Sequence, residues 1–404
     1  MASSLPDSPS LEKLRGLSRA LQGAWRRDDP DALQRLARLH PRPDIAVAQN
    51  FPLAAAQLVV ARSYGFTGWP ALRGYLDQVV VLGRTAPDDD RPTDDIARFC
   101  ALACLRYDRL DAPPRWAAAR DLLRTTPDLP ERSIHAAAAA GDVPAVRGAL
   151  ASGVPVDQLG GSMRWTPLMS LTYARIDVGN AQATATVLLD AGADVDAGIL
   201  WGGLATPFTV LTGVFGEGEM GAGRQPAHPQ WRELAAVLLS RGAEPNDAQT
   251  LYNRMFRRGT EHLELLFAHG LGTGDGGPWR RRLGAATESI AEMMHRQVDW
   301  ALDHRMTDRL DLLAQHGFGP GSAGIDADIV QRGAVVQDGA TALHEAAWDG
   351  DLERIVELLE SGADPSVQDA EHHTTAREWA EFAFQDAAAS LLREWEENPP
   401  PRER

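Results

Sequence analysis

The sequence predicts an all-α fold of helix pairs stacked side by side, on three observations. Residues Thr341–Pro365, TALHEAAWDGDLERIVELLESGADP, read as two short helices parted at Gly350-Asp351 and closed by a turn at Gly362. Ala346, Ala347, Ile355 and Leu358 leave this pair one apolar face too many to stand alone, so one pair predicts neighbours. The closing glycine recurs after apolar runs at Gly153, Gly192, Gly242, Gly270 and Gly317. A left-handed residue that ends a helix before the chain reverses favours glycine. Finally, 44% hydrophobic and 24% charged residues over 404 positions describe a folded chain. It is long enough for two or three domains or one long stack.

In chain order, the first elements are helices at 11–27 and 31–39, with Asp28-Asp29-Pro30 between them. The stretch 52–80 gives two more, split at Gly65-Phe66-Thr67-Gly68, where Thr67 is placed to cap the helix holding Trp69 and Pro70. Together they make a helical N-terminal region over 1–83. A Pro- and Asp-rich linker follows at 84–94. Helices at about 94–107 and 113–125, making a capping region over 95–130, would cap the first stacked pair, as the ends of a stack require.

Counting back from each glycine places the first helix of every pair. The starts fall near Arg132-Ser133-Ile134-His135, Thr166-Pro167-Leu168-Met169, Thr206-Pro207-Phe208-Thr209, Thr250-Leu251-Tyr252-Asn253, Arg296-Gln297-Val298-Asp299 and Thr341-Ala342-Leu343-His344. Thr can cap a helix with its hydroxyl, and Pro at the first helical position misses no N–H. Thr375-Ala376-Arg377-Glu378 then opens a terminal half-pair whose last helix ends about Trp395, before a disordered tail at 396–404. These motifs resemble the ankyrin-repeat family over about residues 131–395. The resemblance implies a solenoid of about six irregular repeats, since the glycine intervals run from 28 to 50 residues against a period of roughly 33. It also implies that the concave face, built by the first helices, binds a protein or peptide. His135 and His344 take the place of the motif's histidine, which implies hydrogen bonds within the stack. Met169, Thr209, Asn253 and Asp299 stand there in the other repeats. The N-terminal helices resemble a segment found fused to bacterial ankyrin proteins. One lysine among many arginines, with heavy Ala, Gly and Pro use, reads as the codon bias of a GC-rich bacterial genome.

A net charge of −16 argues against nucleic acid or an anionic membrane as main partner, and the local Arg280-Arg281-Arg282 run does not overturn that. The two cysteines, Cys100 and Cys104, sit one helical turn apart and read as buried small side chains, not as a disulfide or metal site. That points to a reducing compartment. The start lacks a basic, then apolar, signal-like segment, and the longest apolar runs are too short to span a bilayer, so a cytoplasmic location is expected. No metal or cofactor is called for.

Chemistry, if any, sits where the pattern breaks. From Thr206 to the closing Gly242 the chain takes 36 residues, where about 21 is usual for the family's repeat. The excess is GEGEMGAGRQPAHPQW (216–231), whose glycines and prolines predict no regular structure. It brings Glu217, Glu219, Arg224 and His228 close in sequence to Trp201, Phe208, Phe215 and Trp231. Three readings are open: a solvated loop, a binding loop for a small polar ligand, or an acid–base site. In the last, Glu217, Glu219 or His228 serves a cofactor-independent lyase, isomerase or cyclase. The segment lacks the GK[ST] ending of a phosphate loop. The pair His372-His373 reads as turn surface, GPWRRR (277–282) as an exposed basic helix start, and 318–338 as a long segment folded over one face. Trp165, Trp201, Trp231, Trp279, Trp300 and Trp348 either anchor the insertions or line the groove. Tyr252, Asn253, Asp299, His344 and Trp348 come from successive first helices and are expected along one face.

Overall fold

The computed structural model describes residues 10–84, 94–161, 163–319, 342–369, 374–383 and 385–397. The linker at 84–94 apart from its two ends, most of 318–338, Thr341, His372-His373 and the tail from 398 lie outside the described residues. Along the chain come α1 (Leu11–Trp25), α2 (Pro30–Leu39), α3 (Pro43–Ala48), α4 (Leu53–Ser63), α5 (Trp69–Leu82) and strand β1 (Gly83–Arg84). Then follow α6 (Asp95–Ala103), α7 (Pro113–Thr125), α8 (Leu129–Arg132), α9 (Ile134–Ala139), α10 (Val143–Ala151), α11 (Pro167–Thr172) and α12 (Ala181–Asp190). Strands β2 (Gly198–Trp201) and β3 (Pro207–Thr209) precede α13 (Val210–Phe215), α14 (Gly221–Arg224), α15 (Trp231–Ser240), α16 (Ala248–Met255) and α17 (Glu261–Ala268). The rest is α18 (Gly277–Leu283), α19 (Ile290–Asp303), α20 (Thr307–Gln315), α21 (Ala342–Asp349), α22 (Leu352–Glu360), α23 (Ala376–Phe382) and α24 (Asp386–Glu397). The fold is mostly helical but not wholly α, because the three short strands form one sheet in the order β1-β2-β3. Among the described residues no helix is long and apolar enough to cross a membrane.

The residues gather into two compact units. The first is Met1–Thr85 with two later segments, Gly198–Phe208 and Thr273–Ile290. Ser10 caps α1 through Lys13 N–H, and Asp29 caps α2 through Ala32 N–H with Pro30 at the first helical position. Helix α3, only six residues long, was not expected. Gly68, not Thr67, occupies the cap of α5, and no side chain bonds there. Leu14, Leu21, Phe51, Val59, Leu72 and Leu76 form the core, which Leu200, Trp279 and Leu283 from the later segments complete. Strand β1 pairs in parallel with β2, Gly83 against Leu200, and the Tyr75 hydroxyl donates to Gly203 O at 2.7 Å. This corrects the expectation for 277–282. It is a helix whose Trp279 is buried in the core, while Arg281 pairs with Asp275 at its surface.

The second unit holds Ala86–Ala197, Thr209–Gly272 and Ala291–Arg404. Helices α6 and α8 pack on α9; α9, α11, α13 and α16 then pack one after another, and α10, α12 and α15 do the same beside them. Gly153, Gly192, Gly242, Gly270, Gly317 and Gly362 all adopt left-handed φ, between 86° and 101°. Each helix before them closes with the same pair of bonds. At Gly153, for example, its N–H reaches Leu150 O and the next N–H, of Val154, reaches Ala149 O. This double closure satisfies carbonyls that the helix end leaves over. Two of the long glycine intervals also find their cause: residues 198–208 and 273–290 leave the row of helix pairs to join the first unit.

The helix starts agree with expectation at Ser133, Thr166 and Thr375, each an N-cap, the last with Glu378 in a reciprocal capping box. Three register expectations are corrected. Pro207 and Phe208 lie in β3, and Thr209 caps α13. Asp247, not Thr250, caps α16. Helix α19 begins at Ile290, so Arg296-Gln297-Val298-Asp299 falls in mid-helix. Helices α21 to α24 share a core of their own, with Leu343, Ala347, Ile355, Ala376, Ala380 and Leu392 at its centre.

Candidate functional site

The region around 216–231 starts from a lock between α13 and α16. The Thr209 hydroxyl accepts from Leu211 N–H and Thr212 N–H, and the Thr212 hydroxyl accepts from Thr209 N–H. Asp247 accepts from Thr250 N–H at 2.8 Å and from the hydroxyls of Thr209 and Thr212. Burial pushes the Asp247 carboxyl up, against the pull of those hydrogen bonds.

The insertion is neither open nor wholly irregular. Gly216 has φ 58°, and a Cβ there would lie 2.3 Å from Pro226 O, so only glycine fits. Glu217 N–H donates to Gln225 O, His228 N–H donates to Val214 O at 2.8 Å, and the one-turn helix α14 fills the space between. This overturns the expectation of a structureless segment. The short-range bonds satisfy a backbone that is largely out of water. Glu217 is 2% exposed, and its Oε1 accepts from Arg254 and, at 2.8 Å, from Arg257. Burial lowers Arg254, with Glu217 opposing. His228 is 5% exposed; its Nδ1 accepts Gln230 N–H at 3.0 Å. Burial first, then the charge of Arg175, pushes His228 down to about 3, so it is neutral at physiological pH. Glu219 is exposed and accepts the Tyr252 hydroxyl, which burial and that carboxylate raise to about 12. Arg224 donates to the carbonyls of Asp111 and Arg109.

Each charged group therefore already has a holding role. The Glu217 carboxylate lies between two guanidinium groups, and His228 cannot take a proton near neutrality. The arrangement fixes the insertion on α16. Among the described residues, no group of three or more His, Cys, Asp or Glu is placed to hold a metal ion.

Asn253 lies inside this network: it accepts from Gln249 Nε2 at 2.8 Å and donates to the Tyr107 hydroxyl at 2.9 Å. Two arginines that sequence reasoning missed hold the region together. Arg175 is buried and donates to the carbonyls of Pro226, Gly213, Ala174 and Thr172. Arg309, fully buried, donates to the carbonyls of Met255, Gly259, Arg254 and Arg257. Burial lowers both to about 10, where each still carries its charge at neutral pH. They satisfy carbonyls at the ends of short helices. One signal was available: Arg309 stands four residues before Leu313, on the buried stripe of α20.

The residues expected on one face divide. Tyr252 lies beside Trp300, one of the tryptophans expected to anchor the insertions or line the groove, in a row with two residues that were not singled out. The Tyr252 and Phe256 rings lie 5.3 Å apart at 90°, Phe256 and Trp300 5.1 Å apart at 77°, and Trp300 stacks on His304 at 3.8 Å. All four are half-buried, as is Asp299, and the Arg296 guanidinium lies 5.4 Å from the Tyr252 ring centre. His344 is buried with Nε2 3.0 Å from Thr374 O, and Trp348 packs on Trp379 at 5.7 Å. Trp165 is buried against Tyr173 at 4.6 Å. Trp231 packs on Phe215 at 5.7 Å, and the Arg254 guanidinium lies 5.9 Å from the Trp231 ring centre. Trp201 and Phe208, 6.3 Å apart, belong to the first unit. Cys100 and Cys104 are buried free thiols.

The family model of the ankyrin repeat matches residues 338–370, the stretch that contains α21 and α22. A comparison with curated proteins finds no match to the chain. The chain thus carries an ankyrin-repeat element, a unit that generally serves protein–protein interaction.

Proposed function

We propose that this chain is a protein-binding module and that the helix pairs from α9 onward form an irregular ankyrin solenoid of about six repeats. The six matching glycine closures and the serial packing of α9, α11, α13 and α16 support that reading of the fold. The partner is a protein or peptide that docks on the face of the first helices. The observation that carries this is the half-buried aromatic row Tyr252–Phe256–Trp300–His304, shared by two helices and flanked by Arg257, which is 45% exposed. Large rigid rings that already have fixed neighbours lose little freedom on binding and make strong anchors. Trp348 offers a further contact on the same class of helix. A cytoplasmic location fits two buried free thiols.

The test is a photo-reactive phenylalanine placed at Phe256, at Trp300 or at the exposed Leu352, with irradiation in cells of the source organism. The proposal expects one discrete adduct from the first two positions and none from Leu352. Equal or absent labelling at all three would remove the aromatic row as the binding face.

A further inference from the structure

The C-terminal helices α21 to α24 have a core of their own, and charge joins them to the body that precedes them. Arg258, just past the end of α16, donates to the Glu345 carboxylate on α21, and its Nε lies 3.9 Å from the Asp349 carboxylate. The same guanidinium donates to His304 O at 3.2 Å, at the end of the aromatic row. Arg258 is 40% exposed, Glu345 28% and Asp349 25%, so solvent reaches this contact. A second contact comes from the insertion: Gly221 sits with φ 67° so close that a Cβ there would lie within 4 Å of Ala383, just after α23. Side chains of the C-terminal core, such as Leu343, Ile355 and Leu392, pack among themselves.

From this geometry we infer that α21–α24 form an arm latched on the body by Arg258, and that releasing the latch uncovers the aromatic row and the insertion. A unit with its own core can move without unfolding. An ion pair that water reaches is weak and is screened by salt, so the closed and open forms lie within reach of each other. Arg258 holds both Glu345 and the row's last carbonyl, so the contact sits where a docking partner must arrive. A partner that brings carboxylates to Arg258 competes directly with Glu345, a consequence that rests on the binding reading above. The latch itself is independent of any partner.

The test is energy transfer between dyes on cysteines introduced at the exposed Leu159 and Leu352 of the full chain. The native thiols do not compete, since Cys100 and Cys104 are buried and burial raises both. Three arms are measured without a partner: the native sequence from about 0.1 M to about 1 M NaCl, where the screening length falls from about 10 Å to about 3 Å; Arg258→Glu; and Arg258→Glu with Glu345→Arg and Asp349→Asn, the last removing the second carboxylate that faces position 258. The latch predicts loss of transfer with salt, loss in Arg258→Glu, and recovery in the charge-reversed pair, all with unchanged helical circular dichroism. Transfer that stays the same across the salt series overturns it. So does an Arg258→Glu loss that the reversed pair fails to restore. Because no partner is present, failure here leaves the cross-linking result at Phe256 and Trp300 to stand or fall on its own.

Discussion

The hairpin α21–α22 and the region from α13 to α16 use the same elementary device, a short helix pair closed by a left-handed glycine, yet they are held in different ways. Within the hairpin the ties are mostly to backbone: Asp351 caps α22, Gly362 closes it, and His344 reaches the turn at Thr374 O, while the solvent-reached Arg258–Glu345 pair ties it to the body. In α13–α16 the ties are between distant side chains. Asp247 joins two helix starts, Glu217 joins the insertion to Arg254 and Arg257, and Arg175 and Arg309 gather carbonyls from several segments. A regular unit can be replaced piece by piece, whereas a buried ion cluster fails when one member is removed. The comparison teaches that the insertion is part of the body's core, which is how a segment rich in glycine and proline holds one shape.

The sharpest way to break that contrast is Glu217→Ala, which leaves Arg254 buried with its charge uncompensated. Urea unfolding should show a loss of roughly 3–5 kcal/mol, the usual cost of orphaning one partner of a buried pair. A loss below about 1 kcal/mol, the range of surface pairs, would place the cluster with them. Next come two glycines that both have positive φ, 58° at Gly216 and 97° at Gly362. Gly216→Ala puts a methyl 2.3 Å from Pro226 O, so thermal unfolding should show a loss of more than about 2 kcal/mol. Gly362→Ala, whose Cβ would meet nothing within 4 Å, should cost only about 1 kcal/mol for its left-handed φ of 97°. If the two alanine variants melt alike, steric closure of the insertion is not what distinguishes the regions.

The smallest expected effect is one of pH. Burial holds Asp196 up to about 6, against the hydrogen bond from Glu244 N–H at 2.8 Å. Its folded pKa lies above its ordinary 3.8, so the folded chain binds the extra proton. The stability this proton gives is full below pH 3.8 and is lost as pH rises through 6. Asp196→Asn should therefore stabilise the chain at pH 7.5, on the order of 1 kcal/mol after solvent screening, and change little at pH 3.5. Denaturant curves at the two pH values measure this, and an equal shift at both would contradict it.

The legible part of the fold follows the same division. The glycine turns, the Ser133, Thr166 and Thr375 caps and the helix pair at 342–360 could be read because their causes lie within a few residues. The strands β1 and β2 could not, because Gly83 meets Leu200 only through long-range pairing. Residues 198–208 and 273–290 fall within the long glycine intervals of an irregular array, and only a tertiary core explains where they go. At the candidate site Tyr252 was singled out from its repeat position and Trp300 as one of the tryptophans near the repeats, while Phe256 and His304 needed the helix geometry that sets them four residues further on. Glu217 and His228 were singled out as chemistry, but the sequence does not reveal that Arg254, Arg257 and Gln230 already engage them.

Amide hydrogen exchange across 216–228 tests the central claim, that this insertion is folded core and not a solvated loop. The account predicts that the N–H groups of Glu217 and His228, bonded to Gln225 O and Val214 O, exchange as slowly as those inside α16. It also predicts that Glu217→Ala speeds both while leaving Gly362 and Ala363 unchanged. Exchange of the native Glu217 and His228 amides at the rate of an unstructured chain would contradict it.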